Sequence, residues 1–136
     1  MTAITSRRLS ESTDSLLRFA MRADAILTGL AGVAGLAVAQ WMSSVSGLPV
    51  ATEYALSVVF VLYGLVVFGL AALPSVRRPG AAVIVANIAS TVAAVVVVLS
   101  GWLPLTTAGV VMTLACGVYT LVFAELQYQG VRRIKA

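Results

Sequence analysis

Few residues of this chain are of a type that does chemistry. It has no histidine and one cysteine, Cys116, which excludes histidine-ligated metal, bis-histidine haem, an internal disulfide and a CxxC redox pair. Cys116 lies within an apolar stretch with no neighbouring base, the setting of a small buried hydrophobe rather than a nucleophile. No nucleophile–base pair or metal-ligand set can be assembled, so the expectation is no catalytic residue, no metal and no cofactor. The remaining candidates are two acids, Asp24 and Glu125, and the polar residues Thr28, Asn87 and Tyr119, with Tyr63 at a comparable level. Together they could line a pocket open to the cytoplasm that holds a cation, a lipid headgroup or a quinone-like ligand, with the acids at its mouth. The plainer alternative is helix–helix glue, at roughly 0.6–2 kcal/mol per hydrogen bond, with the acids paired to Arg22, Arg77 or Arg132.

The elements that must carry these residues follow from composition. Hydrophobic residues make up 60% of the 136 positions and charged residues 10%, against about 45–50% and 25% in a soluble domain. Disorder is excluded by the same figures. Four apolar stretches, about 23–42, 54–73, 81–99 and 106–126, are each long enough to cross hydrocarbon as a helix. They lack the alternation of barrel strands. The reading is an all-α, integral membrane four-helix bundle: an interfacial segment over 1–22, the bundle over 23–127 and a basic tail over 128–136. Within the first segment, Ser12 or Asp14 is expected to cap a helical lead-in, with Asp14 and Arg18 spaced to pair.

Orientation follows from charge. All nine basic residues fall before the first stretch (Arg7, Arg8, Arg18, Arg22), in the second link (Arg77, Arg78) or in the tail (Arg132, Arg133, Lys135). With four crossings those places share one side, which positive-inside bias assigns to the cytoplasm, with both termini. Plasma membrane is the expected location. Arg77, Arg78, Arg132, Arg133 and Lys135 sit where anionic lipid headgroups attract them. Nothing interleaves them with aromatics as a nucleic-acid surface would require, so no nucleic-acid partner is expected. Ser6-Arg7-Arg8-Leu9 has the look of a twin-arginine signal, but Ser10, Glu11 and Asp14 are wrong for one, and cleavage is not expected.

Inside lipid, helices approach through small residues. Gly29, Gly32 and Gly35 in the first stretch, Ala82, Ala86, Ser90 and Ala94 in the third, and Gly109, Thr113 and Gly117 in the fourth form such faces. They predict close meeting of the first, third and fourth helices, with the bulkier second turned to lipid or a partner. Ser46-Gly47-Leu48-Pro49 before the second stretch echoes Ser100-Gly101-Trp102-Leu103-Pro104 before the fourth. The echo reads as two helical-hairpin repeats related by an axis along the membrane normal.

Leu17-Arg18-x-Ala20-x-Arg22-x-Asp24-Ala25-x-x-Thr28-Gly29-x-x-Gly32, Asn87 in the third stretch and Leu126-Gln127-x-x-Gly130-x-Arg132-Arg133 resemble small four-span integral membrane proteins of actinobacteria. In layout alone the chain is also distantly similar to DoxX-like proteins. Leu30 and Ile88 depart from the polar or aromatic residues expected beside Gly29 and Asn87. The resemblance implies a plasma-membrane protein and no particular activity. Two functions stay open at this point. One is a non-catalytic membrane subunit, assembly factor or interaction partner, docking another membrane protein or itself. The other is a transporter or binder of a small molecule, ion or lipid, using the polar cluster.

Overall fold

A computed structural model describes the backbone over residues 2–134 and the side chains over residues 13–134; Lys135 lies outside the described residues. Five helices follow one another: α1 (Thr2–Ala37), α2 (Ala39–Ser46), α3 (Val50–Leu70), α4 (Arg77–Ser100) and α5 (Thr107–Arg133). Four segments are long and apolar enough to cross a membrane: Thr13–Ala37 within α1, and α3, α4 and α5. Among the described residues the protein is all-helical.

Helix α1 runs without interruption through positions 12 and 14, so neither Ser12 nor Asp14 marks a helix start. The lead-in is therefore part of the first long helix. Its inward stripe, Leu17, Ala20, Met21, Asp24 and Ala25, recurs at helical spacing and is buried. Val38 leaves helical geometry between α1 and α2, and α2 ends at Gly47 with φ +85°, whose N–H donates to Ser43 O. Helix α4 ends in the same way at Gly101, φ +68°. These two glycines are the positive-φ residues of the described chain, and they occupy matching places in the Ser-Gly echo. Left-handed backbone at a helix end is the conformation glycine adopts without a Cβ penalty. Thr106 opens α5 as an N-cap, accepting from Gly109 N at 3.0 Å.

Helix α1 packs along both α3 and α5, and α5 packs along α4, whereas α3 and α4 barely touch. The interior at one end is a cluster of Leu17, Met21, Ala25, Val67, Ala71, Val76 and Val83. Leu17 is enclosed by glycines: a Cβ at Gly80 would meet its Cδ2 at 2.6 Å, and one at Gly130 would meet its Cα at 2.7 Å. Large apolar side chains elsewhere point outward, including Leu65 at 67% and Leu99 at 80% exposure. An apolar exterior around a polar centre inverts the arrangement of a water-soluble bundle and suits hydrocarbon surroundings.

Packing through small residues differs from the expectation in its partners. The α1 glycines face α3: a Cβ at Gly64 would meet Ala25 O at 2.6 Å and Gly29 Cα at 2.8 Å. A Cβ at Gly32 would meet Ser57 O at 2.6 Å, and one at Gly35 would overlap the Ser57 hydroxyl. The second long helix is thus the intimate neighbour of the first, because Ser57 and Gly64, two turns apart, open a groove in an otherwise bulky surface. Ala82, Ala86 and Ser90 lie exposed on α4, and Ser90 bonds only its own helix at Ala86 O. The stripe there joins no other helix. Ala94 does pack, opposite Gly117, and Gly109 lies against Ser46 O. Thr113 is half-buried and bonds Gly109 O of its own helix.

Candidate functional site

Five polar side chains of the four long helices converge on one carboxylate. Asp24 is fully buried, at 0% exposure. Its Oδ2 accepts from Tyr63 OH at 2.7 Å, Asn87 Nδ2 at 2.9 Å and Gln127 Nε2 at 3.0 Å. Its Oδ1 accepts from Thr28 Oγ1 at 3.1 Å and Tyr119 OH at 3.0 Å. The donors come from α1, α3, α4 and α5, so this side chain is bonded to all four long helices. Each is neutral.

Local sequence explains why these groups meet. Thr28 is one turn beyond Asp24 on the same face of α1. Asn87 lies on the buried stripe of α4 with Gly80 and Val83, about 15 Å along the axis from Arg77 by the helical rise. Gln127 shares the inward stripe of α5 with Gly117, Ala124 and Gly130. Asn87 Nδ2 also donates to Gln127 Oε1 at 3.0 Å, which fixes both amide orientations: turning Asn87 would set its oxygen against two acceptors, and turning Gln127 would set its NH2 against the Asn87 NH2 and its oxygen against the carboxylate. The two sides of the carboxylate differ. Around Oδ2, Asn87 and Gln127 are sealed from outside, at 2% and 0% exposure, beside the half-buried Tyr63, while on the Oδ1 side both Thr28 and Tyr119 are half-buried.

Asp24, Thr28, Asn87 and Tyr119 are therefore brought together, with Tyr63. Glu125 is not. It is exposed, bonded to Gln129 Nε2 at 2.9 Å one turn on, because position 125 falls off the inward stripe of α5. Asp24 also sits at the level of Asn87 rather than at a rim beside arginines: Arg22, Arg77 and Arg132 are exposed, and none bonds to it. Gln127 is the member the sequence reading missed. Its signal was available, since 117, 120, 124 and 127 continue one helical face beyond the apolar stretch.

Two further polar knots hold the ends. Arg18 pairs with Asp14 at 3.0 Å and donates to Ala71 O, Leu73 O and Pro74 O at 2.7–3.0 Å. It satisfies carbonyls at the end of α3 that no helical N–H reaches. Asp14 Oδ1 is buried without a partner. At the opposite end the buried Glu53 accepts from Ser46 Oγ at 2.5 Å, and Thr106 bonds Ser46 O and Val45 O. Thr91 bridges α4 to α5 through Gly117 O and Thr120 Oγ1. Cys116 is exposed on the outer face of α5 rather than buried.

The chain matches no family model, no characterised protein and no solved structure.

Proposed function

We propose that the chain is a non-catalytic, multi-pass protein of the plasma membrane, with both termini in the cytoplasm, acting as a small subunit, assembly factor or interaction partner. The observation that carries this reading is the disposition of its side chains. Thr28, Tyr63, Asn87, Tyr119 and Gln127 are engaged around Asp24, while the outward faces of the long helices are mostly apolar. The bundle so held offers its surface to lipid, to another membrane protein or to a second copy. Arg77, Arg78, Arg132 and Arg133 are exposed at helix ends, where anionic headgroups would attract them along with Lys135. Arg132 also lies over the Tyr128 ring at 5.8 Å, an interfacial pairing. The two αL glycines after Ser46 and Ser100 support a pair of parallel hairpin repeats, and the resemblance to small actinobacterial four-span proteins agrees with the layout. Extraction from native membranes in mild detergent tests the reading: co-purification with a membrane partner, or a mass above that of one chain, is expected. A lone monomer would contradict it.

A second reading has its own observation. Asp24 is a buried acid whose partners are all neutral, and an ionisable group so placed within a membrane helix is commonly part of a binding or transport path. A small-molecule, ion or lipid binder of this kind would give ligand-dependent stabilisation that Asp24 variants lose.

A further inference from the structure

We infer that the Oδ1 side of Asp24 is a binding site for a small monovalent cation of the sodium class. The inference deepens the second reading above, on which it rests, by naming the ligand and the atoms that hold it.

Asp24 Oδ1, Thr28 Oγ1 and Tyr119 OH form a nearly equilateral triangle with edges of 3.1, 3.0 and 3.1 Å. Two hydroxyl protons are available for three edges, so one contact always lacks a hydrogen. A cation resolves this. A hydroxyl is both donor and acceptor, so Thr28 and Tyr119 can turn their protons away and present lone pairs to an ion seated on the triangle. The backbone carbonyl of Asp24, 3.3 Å from Tyr119 OH, adds a fourth oxygen.

The chemistry selects the ion. A hard cation of calcium's size takes oxygens at about 2.3–2.6 Å, and sodium has nearly the same radius. Oxygens 3.0–3.1 Å apart suit neighbouring places in such a shell. One carboxylate among neutral oxygens balances one positive charge, which favours a monovalent ion over a divalent one. The Oδ2 side cannot serve: Asn87 and Gln127 present amide N–H groups there, which have no lone pair to offer. Both hydroxyls of the Oδ1 triangle belong to half-buried side chains, whereas the Oδ2 side has one such partner, Tyr63, beside two sealed amides.

Thermal unfolding of the purified full chain in detergent, at fixed pH and constant ionic strength in sodium chloride or choline chloride, tests this. The midpoint is expected to rise saturably with sodium by several degrees and to stay flat in choline. Asp24→Asn, which can keep its oxygen toward Asn87 and Gln127 and turn its NH2 toward the hydroxyls, should fold and lose the sodium response. Thr28→Ala should raise the half-saturating sodium concentration at least tenfold. Identical curves in sodium and choline would overturn the inference, as would a sodium response that survives in Asp24→Asn. A midpoint that moves with pH and ignores sodium would assign the charge to a proton and equally reject it. Any of these failures leaves the co-purification result untouched, and stabilisation by another small molecule would still favour a binder.

Discussion

Gln127 Nε2 donates to Asp24 Oδ2 across 3.0 Å, joining positions 103 residues apart. That bond ties the last long helix to the first at a depth where neither side chain meets solvent. With Asn87 bonded to both, a single carboxylate becomes the polar centre of the bundle. Buried donors left unpaired are costly, so the arrangement makes the identity of residue 24 matter more than its volume.

Asp24→Leu should therefore be severe where Asp24→Asn is mild. Leucine leaves the amides of Asn87 and Gln127 facing an apolar group, and a loss of about 3 kcal/mol is expected. Asparagine can satisfy both sides and should cost no more than about 1 kcal/mol. Chemical denaturation of the two variants checks the ranking. Equal stabilities would mean the network does not hold the helices.

Single donors can be ranked in the same way. Tyr63→Phe removes one hydrogen bond to Asp24 and should cost roughly 0.6–1.7 kcal/mol. Asn87→Leu removes two and also leaves Gln127 Oε1 without its donor, so its loss should be the larger. Unfolding midpoints in the opposite order would contradict the assignment.

Much of this was readable from the residues. The four long apolar segments and their links announce themselves, because an uninterrupted apolar run of helical length has one common solution in lipid. Asp24, Thr28, Asn87 and Tyr119 stood out as polar residues in apolar company. The depth of Asp24 did not, because the apolar count starts at position 23 while the helix continues far upstream, carrying Leu17 and Met21 into the interior. Gln127 was hidden by the opposite effect: it falls just past the last apolar stretch, 106–126, yet lies on the stripe of Gly117 and Ala124. Composition also misjudged the second long helix. Its average bulk concealed Ser57 and Gly64, the two positions that decide which helix can approach.

Gly64→Ala and Gly69→Ala form a matched pair within α3. A Cβ at Gly64 would meet Ala25 O and the Gly29 backbone, whereas one at Gly69 would meet nothing within 4 Å. The first should destabilise by about 1–3 kcal/mol through overpacking. The second should be neutral, or stabilising by up to about 1 kcal/mol through helix propensity. Thermal melts of both variants provide the comparison.

Arg18→Lys keeps the charge and loses the fork. The guanidinium reaches Asp14 and three carbonyls at the end of α3 at once, a geometry one ammonium cannot reproduce. A loss of about 1 kcal/mol is expected, with faster hydrogen exchange over the link after α3 as the local signature.

Four membrane crossings with every arginine on one side are the topology proposed above. In a Cys116→Ala background, single cysteines at Ser75 and at Gly101 can be probed on intact cells with a membrane-impermeant maleimide. Labelling at position 101 is expected, with protection at 75 until the cells are opened. Labelling of position 75 from outside would contradict that topology.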